Sequence, residues 1–133
     1  MNTDQPTTPL PEQGSSKTVL FLARSAPYGT SRARALTDMV LAAAVFDQNI
    51  HYVFLDDGVG QLLADQQPAG IDAKNTSAAL TALELYGVEQ VYVHESSLRE
   101  RGLDAHPLLV DVERCDTAHI QTLLAQADHV FTL

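Results

Sequence analysis

Short apolar runs alternate with longer amphipathic stretches along most of this chain. Thr18–Ala23 is a continuous apolar run of strand length, the pattern of a parallel strand buried on both faces. Runs at Ile50–Asp56, Val88–His94, Leu108–Val112 and His129–Leu133 predict four more strands. Helical spacing prevails between them. Ser31–Phe46 places Leu36, Met39, Val40, Ala43 and Ala44 on one face, and Leu41 and Val45 widen that arc, as expected for a helix covered on more than one side. Thr30 or Ser31 can cap it. Val59–Ala64 predicts a short helix, and Pro68, Gly70 and Asn75 mark a loop. Thr76 or Ser77 then caps a helix ending at Gly87, with Leu80, Leu83 and Tyr86 at helical spacing. Ser96–Arg101 reads as a helical turn closed by Gly102, and Asp116 caps a last helix bearing Ile120, Leu123 and Leu124.

Strands alternating with helices imply parallel pairing and right-handed crossovers. The expected fold is α/β: a three-layer α/β/α sandwich around a five-stranded parallel sheet, flavodoxin-like in architecture. Residues 1–16, rich in Pro, Thr, Gln and Ser, cannot bury enough to offset their ordering entropy and read as a disordered tail. Residues 17–133 read as a single domain.

Composition narrows the function. The net charge of −9, with no basic run longer than the Arg32/Arg34 pair, disfavours direct nucleic-acid binding and a membrane-surface role. No apolar run approaches the ~20 residues of a membrane-spanning helix. The lone Cys115 permits no disulfide within the chain and fits a reducing, cytoplasmic setting. A charged fraction of 19%, below the usual ~25%, suits a chain with surface covered by a partner.

Parallel strands bring their C-terminal ends to one rim, where open α/β sheets place working residues. Arg24–Tyr28, Asp56–Gly60 and His94–Ser97 are expected there. Asp56 and Asp57 could bind a metal or a phosphoryl group. A phospho-receiver also needs a lysine after its last strand, and the chain's two lysines are Lys17 and Lys74. The carboxylates are therefore read as capping the turn and helix that follow. Gly58-Val59-Gly60 lacks the third glycine of a dinucleotide loop and follows the second strand, not the first. Ser25–Ser31 could cradle a phosphate, but a flavin needs aromatic walls, and Tyr28 is the only aromatic nearby. The five histidines show no metal-ligand spacing, so neither a cofactor nor a metal is expected. Cys115 stands between Arg114 and the Asp116 cap, and the element assignment puts it away from the rim.

Five segments in order carry a resemblance: Ala26-Pro27-Tyr28-Gly29-Thr30, Ala44-Val45-Phe46-Asp47-Gln48, Phe54–Val59 with Gln61-Leu62-Leu63, Ser97–Leu103, and Ala127–Phe131. Together they resemble the DsrE/DsrF-like family, and within it the TusC and DsrF subunits. The resemblance implies a five-stranded parallel sheet between helices. It also implies a heterohexamer with TusB/DsrH-like and TusD/DsrE-like subunits, passing sulfane sulfur toward tRNA 2-thiolation or acting in sulfur oxidation. In TusD-like and DsrE-like subunits a cysteine follows the third strand, and the equivalent position here is near His94. This chain is thus expected to be a non-catalytic partner, with Tyr28, Asp56, Asp57, Arg99 and Arg101 at the edge of a site or interface. Competing expectations are an active sulfurtransferase using Cys115, and a small-ligand or flavin module.

Overall fold

A computed structural model describes residues 17–27, 31–63 and 78–133. Its centre is a five-stranded sheet in the order β4-β3-β2-β1-β5. The strands are β1 (Thr18–Ala23), β2 (Asn49–Phe54), β3 (Val91–His94), β4 (Glu113–Cys115) and β5 (His129–Thr132). Every pairing is parallel, as the continuous apolar runs required. The chain steps outward from β1 to β4 and then returns across the sheet to place β5 beside β1. Between β1 and β5 the direction of winding reverses, the place where open sheets leave a crevice.

Helices lie on both faces. Helix α1 (Arg32–Ala44) buries Leu36 and Val40 against Phe21, Tyr52 and Phe54. The 3-10 helix Asp56–Leu62 adds Val59 and Leu62 to this layer. So do α2, helical over residues 78–81, through Leu80, and α3 (Glu95–Glu100) through Leu98. The opposite face is thinner: α4 (Thr117–Gln126) packs Ile120 and Leu123 on Leu20, Val53, Tyr92 and Cys115. Asp116 caps α4, its carboxylate accepting from His119 N–H at 2.9 Å.

Several boundaries differ from expectation. The fourth strand is not Leu108–Val112 but Glu113–Cys115. Leu108 instead bridges Leu63 antiparallel, and Leu109 N–H donates to Leu62 O at 2.6 Å. The apolar run therefore closes the rim of the core, and the polar segment after it forms the edge strand. The helix expected at Val59–Ala64 begins earlier, at Asp56, and has 3-10 geometry. Ser31 occupies the N-cap position of α1 without a side-chain bond. Tyr86 lies in the 3-10 turn Glu84–Tyr86 and is exposed rather than packed, because tightening to 3-10 rotates it off the Leu80–Leu83 face. Gly87 follows at φ 81°, the left-handed stop anticipated there. The tail 1–16, Thr30, and the loop and cap positions from Pro68 to Ser77 lie outside the described residues.

Candidate functional site: the rim at the strand C-termini

The end of β1 and the turn after β2 are locked together. Leu55 N–H donates to Ala23 O at 3.0 Å, and Gly58 N–H donates to Leu55 O at 2.9 Å. Gly58 lies so close to β1 that an added Cβ would stand 1.9 Å from Ala23 O. Its reason for being glycine is this close approach, not a dinucleotide loop. Asp56 takes the left-handed conformation, φ 52°, which short polar side chains tolerate best.

Neither Asp56 nor Asp57 caps the helix that follows, since Leu55 is its N-cap and supplies no side-chain bond. The carboxylates turn to arginines instead. Arg24 Nε donates to Asp56 at 3.0 Å. Arg101 donates to Asp57 through Nη2 at 3.0 Å and Nε at 3.2 Å, and through Nη1 to Ser97 O at 3.1 Å. A guanidinium with several donors in one plane suits this role, tying α3 to the turn after β2. These pairs are largely solvent-exposed, so they orient the rim more than they stabilise the fold. Arg99 faces solvent and approaches Glu95 at 3.9 Å, one helical turn away.

His94 ends β3, and both its ring nitrogens are engaged. Nδ1 lies 2.7 Å from Ser97 Oγ and Nε2 lies 2.8 Å from Thr117 Oγ1. Ser97 Oγ also accepts from Asp56 N–H at 2.9 Å. In one consistent proton arrangement Ser97 O–H donates to Nδ1 and the neutral ring donates from Nε2–H to Thr117. The imidazole thus joins β3, α3 and the start of α4. No expectation had named Ser97 or Thr117 as partners of His94. Ser97 stands three residues beyond His94 across a strand-to-helix junction, a spacing that signals contact. Thr117 is 23 positions away, and no local pattern points to it.

Cys115 is not remote from the rim, contrary to its expected place. It ends β4 in register with His94, because the fourth strand lies later in the chain than its apolar run implied. Its thiol nevertheless points into the thin core layer beneath α4 and is 5% exposed. Burial, then the charges of Asp116 and Glu113, push its pKa up to about 11. At neutral pH it is a protonated, enclosed thiol.

The crevice between β1 and β5 is a shallow depression of roughly 380 Å³, lined by Arg24, Ser25, Arg32, Asp56, Thr132 and Leu133 among others. Beneath it Gln61, 1% exposed, donates from Nε2 to Ser25 O at 2.8 Å. Tyr28 falls outside the described residues. Among those residues no three His, Cys, Asp or Glu side chains converge as a metal site would require, and no helix is long and apolar enough to cross a membrane. The rim is a polar lattice of paired charges around the hydrogen-bonded His94 imidazole. It can donate and accept hydrogen bonds, but its accessible surface offers no thiol.

A model of the DsrE/DsrF-like family matches residues 17–133. The TusC homolog of Pseudomonas aeruginosa is 40% identical over 118 residues, covering 89% of this chain and 99% of that protein. The protein TusC of Klebsiella pneumoniae is 42% identical over 98 residues, covering 73% and 82%. The intracellular sulfur oxidation protein DsrF of Allochromatium vinosum is 37% identical over 130 positions, covering 87% and 96%. The crystal structure of the ychN protein of E. coli superposes with a TM-score of 0.77, covering 88% of this chain and 99% of that one; at 22% identity this is a likeness of fold.

Proposed function

Because the chain belongs to the DsrE/DsrF-like family, we propose that it serves as a non-catalytic partner subunit of a sulfur-relay complex, TusC-like or DsrF-like. One observation carries this reading. The rim exposes no thiol, Cys115 being buried, and His94, which the family resemblance sets near the position of the cysteine in TusD-like and DsrE-like subunits, has both ring nitrogens committed to Ser97 and Thr117. Relay chemistry needs an accessible thiolate: the outer sulfur of a cysteine persulfide is attacked by an incoming thiolate, and the resident cysteine leaves as thiolate. Cys115 is buried, and its pKa is pushed up to about 11. A subunit of this kind shapes the assembly and supports a partner's cysteine. The expected partners are TusB/DsrH-like and TusD/DsrE-like subunits in a heterohexamer. The net charge of −9 leaves any tRNA substrate to other components. The relay reading places the chain in the cytoplasm, where a lone thiol stays reduced. Asp56, Asp57, Arg99 and Arg101 are then rim residues at the edge of the partner's site, with Asp57 and Arg101 holding the rim in shape; Tyr28, expected with them from the sequence, lies outside the described residues.

The test is sulfur transfer by the reconstituted complex carrying Cys115→Ser, followed with labelled sulfane sulfur. Undiminished transfer is expected. Abolished transfer from a complex of unchanged mass, or a persulfide trapped on this chain purified alone, overturns the non-catalytic reading.

A further inference from the structure

Two apolar layers flank the sheet. Among the described residues the smaller lies under α4, where Ile120 and Leu123 meet Leu20, Val53, Tyr92 and Cys115. A row of rings crosses the same face. His51 on β2 stacks on Tyr92 of β3 at 5.8 Å and 14°, with its Nδ1 3.0 Å from the Tyr92 hydroxyl. His119 on α4 meets that phenol from the other layer, ring to ring at 5.3 Å. Tyr92 thus stands between an imidazole of the sheet and an imidazole of the helix. At the head of α4, Thr117 is tied to His94.

The ionisable groups around His51 come from three elements among the described residues. β3 supplies Tyr92 and His94, β4 supplies Glu113 and Cys115, and α4 supplies His119 and the Asp116 cap, whereas β1 sets the uncharged Leu20 beside His51. Burial first, then His119, lowers the His51 pKa below the ordinary 6.5. Tyr92 and Cys115 are pushed up, by burial first, and stay neutral. Neutral rings suit this row. Two imidazolium rings on either side of one phenol repel, and a proton on His51 Nδ1 removes an acceptor for the Tyr92 hydroxyl. Lifting α4 rehydrates His51 and takes His119 from its side, so the open form binds protons more readily and acid favours it. α1, which covers the larger layer, carries no histidine.

We propose that the His51–Tyr92–His119 row is a proton-sensitive latch: acid releases α4 from the sheet while the α1 layer stays closed. Release withdraws Thr117 from His94 and uncovers Cys115, which couples the latch to the rim. With His51 returning toward 6.5 in the open form, its protonation at pH 5.5 favours opening by at most roughly tenfold. The inference stands on this packing and does not depend on the relay reading.

The experiment is amide hydrogen exchange of the full chain at pH 8 and pH 5.5, each corrected for the intrinsic exchange rate at that pH. Between the two, α4 amides are expected to lose roughly three- to tenfold more protection than α1 amides. In parallel, a dipyridyl disulfide, which reacts with thiols in acid as well as at neutrality, should modify Cys115 faster at pH 5.5 than at pH 8 when referred to a free thiol at the same pH. His51→Asn should remove most of the acid response of α4 and His119→Asn part of it, with thermal unfolding at pH 8 verifying the fold of each variant. Equal loss of protection in α1 and α4 overturns the latch, because acid then acts on the whole fold. Unchanged protection of α4 overturns it too, as does an acid response that survives in both variants.

Discussion

Replacing Gly58 with alanine should destabilise this protein, although the same change at an ordinary position stabilises by ~0.4–1 kcal/mol through the unfolded chain. The added Cβ would stand 1.9 Å from Ala23 O, 2.6 Å from Ala23 C and 3.1 Å from Arg24 N. Carbon atoms in ordinary contact are about 3.5 Å apart, so the turn must retreat from β1 by roughly 1 Å. All three obstructing atoms are backbone, so no side chain can swing aside. Overpacking of this kind costs ~1–3 kcal/mol. The retreat also strains the bond from Leu55 N–H to Ala23 O, now 3.0 Å, worth ~1 kcal/mol. A total of about 2–4 kcal/mol corresponds to a fall in Tm of roughly 8–16 °C for a domain of this size. Differential scanning calorimetry reads the shift directly. Gly60→Ala is the internal control, since its Cβ meets only Pro27 side-chain atoms, the nearer at 3.3 Å. If Gly58→Ala melts within about 2 °C of wild type, the close approach does not govern the rim and the argument from it is wrong.

Cys115 should resist alkylating reagents at pH 7–8 in the folded protein and react once denaturant exposes it, because burial holds its pKa near 11; quantitative labelling of the native chain refutes this. His51 lies beside Tyr92, with its Nδ1 3.0 Å from the Tyr92 hydroxyl, and its pKa is lowered below the ordinary 6.5 by burial first and then by His119. The folded state therefore binds fewer protons than the unfolded one, so stability is full above pH 6.5 and falls as acid is added through and below it. Urea titrations at pH 8 and pH 5.5 should show this loss, and His51→Asn should flatten it. Thr37 Oγ1 and Tyr52 Oη form a buried bond of 2.7 Å. Thr37→Val should cost ~1–3 kcal/mol by orphaning the phenol, and adding Tyr52→Phe should recover most of it; a double variant no more stable than the single one contradicts the account.

Much of this architecture was legible in residue order. Thr18–Ala23 proved a strand with the expected limits, and the helix predicted over Ser31–Phe46 forms as Arg32–Ala44. The stop at Gly87 and the Asp116 cap follow from local chemistry. The failures share one cause. Leu108–Val112 has the apolarity of a strand, but a core rim needs closing as much as a sheet needs strands, and the segment was used for the rim. That shift of the fourth strand carried Cys115 from its expected place to the sheet position beside His94. Asp56 and Asp57 were legible as a rim pair, but their arginine partners were not, because Arg24 is 32 positions from Asp56 and Arg101 is 44 from Asp57.

Residue order alone determined that parallel strands would alternate with helices, that a single thiol was available, and that the charge was strongly negative. These are properties of periodicity and composition, which act over a few residues or over the whole chain at once. Only the tertiary structure decided that β5 returns beside β1, that His94 is held between Ser97 and Thr117, and that the thiol is enclosed. Neighbours across a sheet are selected by long-range packing of complementary faces, and that selection leaves no mark in the spacing of residues along the chain.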